Sequence, residues 1–420
     1  MQENKNKRII DTIVSLVSTL AFTFYCFSLV LLHFNQTRYP ETGLYESDLF
    51  AHISMALDGW GYSIMAIVFR LLSNLPTFGF YFSIAAILAA FEAFTIALTF
   101  IFLRQNDIEK KVALFASFVS GFVMPMCVKA IQPYRYIGYQ SPSIWHNSTY
   151  IVMKFFALLC VILYLAISAK YKDEMKASKV IAFALLLALT TAVKTNFTLI
   201  FAPAALVFLI IDMILKVPFK RIFLCALTVI PSIAVILFQN IVLFGESSGN
   251  GIVIDPLYSV YLRAEKPYFT MVLSAAFPVA VLLFNFIPVI KDTLSDLKER
   301  NGKLKHRAFL FSWCMWFVGV SELLLLREVG NRALDDNFAW GYDFCLFLLF
   351  VVSIIYFVNN VKTLFGMIKE NKKGEKGNTA TIVISSAYLS VTLLMLIYHT
   401  FCGVYFFVRL SQGVSYFMYF

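Results

Sequence analysis

The sequence predicts an all-helical, polytopic membrane protein on the strength of three observations. Of its 420 residues, 60% are hydrophobic and only 14% are charged, and the mean hydropathy is +0.76. Soluble domains are typically about 45–50% apolar and about 25% charged. Eleven apolar runs are candidates for membrane-spanning helices, and basic residues gather in every second connection between them. This composition excludes a soluble protein, and we expect one transmembrane domain over residues 1–420.

The predicted spans come from a search for about 17 to 25 mostly apolar residues, the length that crosses the hydrocarbon core. They are Ile10–Leu32, Phe78–Leu103, Val112–Val128, Tyr150–Ala169, Val180–Val193, Phe197–Leu215, Ile222–Leu243, Tyr268–Ile290, Phe309–Leu326, Phe344–Val358 and Thr381–Phe401. The first is too long for a signal-peptide core and lacks a small-residue cleavage site, so we expect an uncleaved span. The fifth is short, and only Lys194, Thr195 and Asn196 separate it from the sixth. The two form either a helical hairpin or one broken helix.

The basic residues set the expected orientation. The N-terminal flank and alternate connections hold most of the 35 Lys and Arg residues, and such clusters mark the cytoplasmic side of a membrane protein. Merging the fifth and sixth spans would break the alternation, which favours the hairpin. We therefore expect the N-terminus in the cytoplasm and the C-terminus outside the cell membrane. The net charge of +10 is then a topology signal, and no nucleic-acid partner is expected.

Two further classes of site find no support in the sequence. The seven cysteines lie in or beside apolar runs without C-x-x-C spacing, which predicts packing residues and neither a disulfide framework nor a metal centre. The expected cytoplasmic connections contain no phosphate-binding loop and no dinucleotide-binding glycine motif. The chemistry is therefore expected at the outer face or within the membrane.

The first predicted outer loop, residues 34–76, contains the candidate catalytic residues Asp48, Glu46 and His52. Apolar residues follow helical spacing over residues 47–57, and Asp48 and His52 stand four residues apart on one face. This pattern is typical of an amphipathic helix at the membrane surface. A carboxylate beside an imidazole can serve as a general base or help to hold a divalent cation. The alternative is that Asp48 only caps the helix and His52 only lies at the interface.

The run Tyr45-Glu46-Ser47-Asp48 with His52, followed by a second predicted surface helix over Tyr62–Leu75, resembles the GT-C superfamily of polytopic glycosyltransferases. Members of that superfamily place a catalytic Asp or Glu in the first outer loop and follow it with interfacial helices. The resemblance implies that Asp48 deprotonates or orients an acceptor hydroxyl, with Glu46 as the substitute. It also implies a donor sugar carried on polyprenyl phosphate.

The second predicted outer loop, residues 129–149, combines aromatic and basic side chains. Tyr136 and Trp145 offer flat faces for a sugar ring, and Arg135 and His146 offer donors for phosphate or hydroxyl oxygens. The alternative is an interfacial aromatic belt, which explains Arg135 and the Trp-His-Asn run less well.

Further basic residues at predicted outer positions are candidates for binding the donor phosphate. Lys194 lies at the tip of the expected hairpin, and Arg327 and Arg332 lie with Glu328 in a charged loop. The forked donors of arginine suit a phosphate. The alternatives are a lysine that extends to the lipid headgroups and a surface ion-pair network.

Together these features predict a glycosyltransferase that moves a sugar from a polyprenyl-phosphate-linked donor to a glycan, lipid or protein acceptor of the cell envelope. Its expected partners are membrane lipid, the donor and that acceptor. The sequence identifies no definite cofactor, and a divalent cation is compatible with the site. One alternative is a polysaccharide polymerase or ligase, which tends to carry a long outer loop with Arg and His. Another is a flippase or transporter with charged sites at the bilayer midplane; Glu92 and Glu322 are the charged residues that we expect deep within the membrane.

Overall fold

The computed structural model describes residues 2–38, 43–59, 63–131, 141–170, 172–244, 249–335, 337–372 and 379–415. Nine helices within these stretches are long and apolar enough to cross a membrane, and one shorter apolar helix accompanies them. This confirms the predicted all-helical, multi-pass membrane fold.

The chain forms sixteen α-helices and one short β-ribbon within the described residues. The first eight helices are α1 (Gln2–Arg38), α2 (Leu49–Leu57), α3 (Ile64–Leu72), α4 (Thr77–Gln105), α5 (Lys110–Ser120), α6 (Ser148–Ser168), α7 (Ala177–Val193) and α8 (Asn196–Ile214). The others are α9 (Phe219–Leu227), α10 (Ile230–Phe244), α11 (Tyr258–Arg263), α12 (Pro267–Ser274), α13 (Ala276–Glu299), α14 (Arg307–Leu325), α15 (Ala339–Lys372) and α16 (Thr379–Ser411). Strands β1 (Gly251–Ile254) and β2 (Leu326–Val329) pair antiparallel, with Ile252 opposite Glu328.

The connections meet at two opposite ends of the helix bundle. At the first end, called the site end, the Asp48 amide donates to the His146 carbonyl at 3.1 Å and the Asn196 side chain donates to the Asn337 carbonyl at 2.5 Å. At the second, called the basic end, Lys362 Nζ donates to the Asp107 carbonyl at 3.0 Å. The candidate residues of the first predicted outer loop thus lie at the same end as Lys194 and the charged loop.

The hairpin expected at Lys194 is present. Helix α7 ends at Val193, α8 begins at Asn196, and the backbone of Lys194 between them is extended. The hydroxyl oxygens of Thr191 and Thr198 are 2.6 Å apart, whereas seven residues of a continuous helix rise about 10 Å. The chain therefore reverses here and carries Lys194 at the site end.

The third predicted span is wrong in its second half. Helix α5 ends at Ser120, and residues 123–128, which include a proline, run without helical structure. Buried backbone needs hydrogen-bond partners in a membrane, and α16 supplies them: His399 Nδ1 lies 2.6 Å from the Met124 carbonyl and the Tyr398 hydroxyl donates to the Cys127 carbonyl at 2.6 Å. The predicted number of eleven spans therefore stays a prediction.

The two predicted surface helices are present as α2 and α3. Helix α2 buries Leu49, Ile53 and Ala56, although Leu57 is exposed. Arg70 of α3 donates from Nε to the carbonyl of Ala56 at 2.6 Å. This bond ties the two helices together at the site end.

Helix α15 lies at the centre of the bundle, in contact with α8, α13, α14 and α16. Residues 344–355 of this helix are all buried. Gly341 permits its close approach to α8, because a Cβ there would lie 2.8 Å from the Asn196 carbonyl oxygen. The start of α15 is thereby fixed beside the hairpin tip.

Candidate functional site

The side chain of Asp48 does not cap helix α2. Asp48 occupies the N-cap position without a side-chain capping bond, and the Ser47 hydroxyl accepts from the Leu49 amide at 3.0 Å instead. Asp48 Oδ2 accepts a hydrogen bond from Asn147 Nδ2 at 2.7 Å. The carboxylate is thus held by a residue 99 positions away in sequence, and the capping alternative does not account for it.

A chain of hydrogen bonds connects this carboxylate to the ammonium group of Lys194. Lys194 Nζ donates to the Thr149 hydroxyl at 3.0 Å, and that hydroxyl donates to Asn147 Oδ1 at 2.9 Å. Asn147 Nδ2 completes the chain by donating to Asp48. One amide side chain therefore fixes the candidate base and a cationic group relative to each other.

Lys194 lies against an aromatic ring at the start of α15. Its Nζ is 4.8 Å from the ring centroid of Trp340, a cation–π distance. Burial lowers the pKa of Lys194 to about 8, with the charge of Asp48 opposing this shift and that of Arg332 acting in the same direction as burial. The ammonium form therefore predominates at neutral pH and is lost under mildly alkaline conditions.

Two histidines flank the carboxylate in their neutral forms. His52 Nδ1 lies 2.8 Å from the Ser148 hydroxyl, and burial lowers the pKa of His52 to about 4 despite the neighbouring charge of Asp48. Burial also lowers the pKa of His146. Neutral imidazoles add polarity beside Asp48 without adding charge at physiological pH.

Arg332 enters the same site from the loop after β2. Its Nε lies 3.2 Å from Glu328 Oε1 and its Nη2 lies 3.4 Å from Asp335 Oδ2. Burial raises the pKa of both carboxyl groups. Asn337 Nδ2 holds the second oxygen of Glu328 at 2.5 Å, so Glu328 acts on the site by orienting Arg332.

These residues are near enough for their charges to interact, although they come from distant parts of the chain. The charges of Asp48, Lys194 and Arg332 all act on His52, and those of Asp48 and Lys194 also act on Asp335. We call Asp48, His52, His146, Lys194 and Arg332 the site cluster. It unites a carboxylate, two neutral imidazoles and two cations at one end of the bundle.

Arg327 is not part of the site cluster. It belongs to β2, where successive side chains point to opposite faces, so it points away from the side that Glu328 faces. Arg327 lies 2.8 Å from Asp255 and its guanidinium is 3.9 Å from the ring centroid of Tyr258. The structure therefore does not bring Arg327 and Arg332 together.

The other predicted residues are dispersed. Trp145 is 1% exposed and packs against Phe406 and Phe407, so its ring faces the core. Glu46 is hydrogen-bonded to the Ser415 hydroxyl at the edge of the site, where its charge acts on His146. Arg135 and Tyr136 lie outside the described residues.

The sequence reasoning missed Trp340, and it noted Asn147 only within the Trp-His-Asn run without giving it a role. Asn147 belongs to an Asn-Ser-Thr triplet, a pattern that marks glycosylation acceptors, but it is 3% exposed and caps α6 by accepting from the Tyr150 amide at 2.9 Å. A polar cap directly before a long apolar run was the available signal. No local sequence pattern marks Trp340 as a site residue, because Lys194, the residue that it contacts, is distant in sequence.

The arrangement can bind an anion and accept a proton. Two cations provide charge-assisted donors for phosphate oxygens, and Asp48 is a carboxylate within the same cluster. No group of three or more His, Cys, Asp or Glu side chains able to hold a metal ion occurs within the part of the chain that the structure describes. The sequence matches no protein-family model, and no curated protein or solved structure is significantly similar to the chain.

Proposed function

We propose that the protein is a glycosyltransferase that uses a polyprenyl-phosphate-linked sugar donor and an acceptor of the cell envelope. The observation that carries the proposal is the hydrogen-bond chain from Lys194 through Thr149 and Asn147 to Asp48. A lipid-linked donor brings its own phosphate leaving group, so the enzyme needs a base and a phosphate-binding group at a fixed separation. This chain provides both.

In the proposed reaction the acceptor hydroxyl attacks the anomeric carbon of the donor sugar. The bond from that carbon to the phosphate oxygen breaks, and polyprenyl phosphate leaves with the bonding electrons. Asp48 takes the hydroxyl proton as general base. Lys194 and Arg332 stabilise the charge that develops on the leaving phosphate, and the neutral imidazoles of His52 and His146 offer hydrogen bonds to sugar hydroxyls.

The proposed orientation places the site cluster outside the cytoplasm. The connections at the basic end carry the clusters of Lys and Arg that favour the cytoplasmic side. The N-terminus is then cytoplasmic, and the C-terminus lies outside the cell membrane, at the site end. A lipid-linked sugar is the form of activated sugar suited to that side, because nucleotide sugars are made in the cytoplasm.

Binding of polyprenyl phosphate to purified protein in lipid nanodiscs tests the phosphate-binding step. Loss of a charge-assisted contact costs on the order of 1.5–3 kcal/mol, so Lys194→Gln and Arg332→Gln should each weaken binding roughly tenfold to a hundredfold. Lys266→Gln is the matched control, because Lys266 lies exposed and donates to the Ala130 carbonyl. Absence of saturable binding by the wild type, or equal affinity in all four proteins, would contradict the proposal.

A flippase for lipid-linked sugars is the second candidate, favoured by ionisable groups buried among the helices. Lys154 of α6 donates to the Pro142 carbonyl at 2.8 Å, and Asp343 of α15 is fully buried. Ionisable groups within spans often mark a transport path. Movement of an intact sugar-lipid between leaflets without release of polyprenyl phosphate would select this function over transfer.

A further inference from the structure

The segment that leads into Asn147 is buried without forming a helix. Residues 141–147 are all buried, and helix α6 begins only at Ser148. Backbone that is buried outside a helix must take its hydrogen-bond partners from other parts of the chain. Two of these partners are ionisable side chains. The Asp343 carboxylate accepts from the Ser141 amide at 3.0 Å, and Lys154 Nζ donates to the Pro142 carbonyl at 2.8 Å.

The side chains that hold this segment come from corresponding positions on two helices. Helix α6 contributes Tyr150 and Lys154, four residues apart, and α15 contributes Asp343 and Phe347, also four residues apart. Residues at this spacing share one face of a helix. Lys154 Nζ lies 4.0 Å from the ring centroid of Phe347. The two helix faces therefore meet beside the start of the segment.

Tyr150 connects the start of the segment to its end. Its hydroxyl donates to the Pro142 carbonyl at 3.2 Å, and its backbone amide donates to Asn147 Oδ1 at 2.9 Å. A carbonyl oxygen has two lone pairs, so it can accept from Tyr150 and Lys154 together. Asn147 is thus held both along the chain and through Tyr150, and it holds the Asp48 carboxylate in turn.

We propose that Lys154, Tyr150 and Asp343 are positioning residues, which hold the 141–147 segment and thereby place Asn147 and Asp48. We call these three the anchor residues. The segment needs a donor at position 154 and an acceptor at position 343, and a neutral side chain can supply either. The consequence for sugar transfer rests on the proposed function, whereas the hold on the segment does not.

This role differs from the one that a transport path would give the same side chains. In a flippase the charges of Lys154 and Asp343 would act on the passing sugar-lipid, and neutral amides would not replace them. The anchor role requires only the hydrogen bonds. Lys154→Gln and Asp343→Asn keep a donor and an acceptor in place, whereas Lys154→Met and Asp343→Leu remove them with side chains of similar size.

Hydrogen–deuterium exchange of the purified protein in micelles tests the hold on the segment. Lys154→Met and Asp343→Leu should each speed exchange over residues 141–150 by up to about tenfold, the usual effect of losing one hydrogen bond. Lys154→Gln and Asp343→Asn should exchange like the wild type. Glu322→Leu is the matched control for Asp343→Leu, because it removes a carboxyl of α14 whose Oε2 is buried, and it should leave exchange over residues 141–150 unchanged.

Two results of this experiment would overturn the proposal. One is exchange over residues 141–150 that is the same in Lys154→Met and Asp343→Leu as in the wild type. The other is exchange that the amide variants raise as much as the apolar variants do. If the apolar variants do not fold, Tyr150→Phe decides, since it removes one hydroxyl and keeps the amide bond to Asn147. It should speed exchange over the segment about threefold, and unchanged exchange would also overturn the proposal.

Sugar transfer from a labelled polyprenyl-phosphate donor tests the placement of Asp48. Lys154→Met and Asp343→Leu should lower the rate about 10²-fold, the effect of a catalytic group displaced by about 1 Å. Lys154→Gln and Asp343→Asn should restore it. Activity that the amide variants lose although their exchange is unchanged would overturn the positioning of Asp48 in favour of a transport role for the charges. If the wild type transfers no sugar, the proposed function fails, yet the exchange data still decide whether the anchor residues hold the segment.

Discussion

At the scale of single residues, the site depends on Asn147 as much as on any charged group. Its Oδ1 accepts a hydrogen bond from Thr149 and its Nδ2 donates one to Asp48. This requires a side chain that has both a donor and an acceptor. The interpretation of Asp48, His52 and Lys194 as site residues drew on residue type and local spacing. Those local patterns do not indicate that Asn147 connects these residues, because Asn147 lies 99 positions from Asp48 in sequence.

The protonation of Lys194 gives a prediction about pH. Because burial lowers its pKa to about 8, the ammonium is present below that pH and is lost above it. Affinity for polyprenyl phosphate should therefore hold at neutral pH and fall as the pH rises through about 8. Binding titrations over this range measure the effect. Lys194→Arg should bind with a flat profile, since a guanidinium stays charged. The same alkaline fall in Lys194→Gln would assign it to another group.

At the scale of elements, the largest departure from expectation is the segment after α5. Continuous hydropathy over residues 112–128 predicted one helix, because apolarity does not distinguish a lipid-facing helix from buried extended chain. The extended form depends on α16, which brings His399 and Tyr398 to the segment's carbonyls. That pairing joins residues more than 270 positions apart. It therefore cannot be predicted from the local sequence.

Gly403 makes this pairing sterically possible, which gives a second prediction. A Cβ at position 403 would overlap the carbonyl of Phe122. We expect Gly403→Ala to destabilise the protein by several kcal/mol, a typical upper range for backbone overlap and core strain. Gly366→Ala in α15 is the matched control, since nothing lies within 4 Å of its added Cβ, and it should be neutral or slightly stabilising. Comparable thermal stability of the two variants would contradict this packing.

At the scale of the whole molecule, the helical class and the hairpin could be predicted from the sequence. Long apolar runs and alternating clusters of basic residues indicate spans and their order whatever the tertiary contacts between helices. The sequence also placed Asp48, His52, Lys194 and Arg332 at one side of the membrane, and the structure brings them together. Trp145 and Arg327 lie apart from that cluster, and the local sequence does not show which way their side chains point.

Topology is a prediction at this scale. With the basic end in the cytoplasm, a reporter fused after Lys176 should report a cytoplasmic location and one fused after Phe420 the opposite side. A fusion after Lys216, in the next basic connection, serves as an internal control and should agree with the first. Cytoplasmic signals from both Lys176 and Phe420 would place the site cluster on the wrong side for the proposed reaction.

The fate of a sugar-labelled polyprenyl-phosphate donor in proteoliposomes tests the central claim most directly. With envelope extract as the acceptor source, the wild type should release polyprenyl phosphate and transfer the label. Asp48→Asn should fold but lose about 10²- to 10⁴-fold in rate, the usual contribution of a general base. The control is Asp58→Asn, which changes the exposed acid at the C-terminal end of the same helix and should keep the full rate. Intact donor crossing the bilayer without cleavage, or a wild-type rate in Asp48→Asn, would contradict the account.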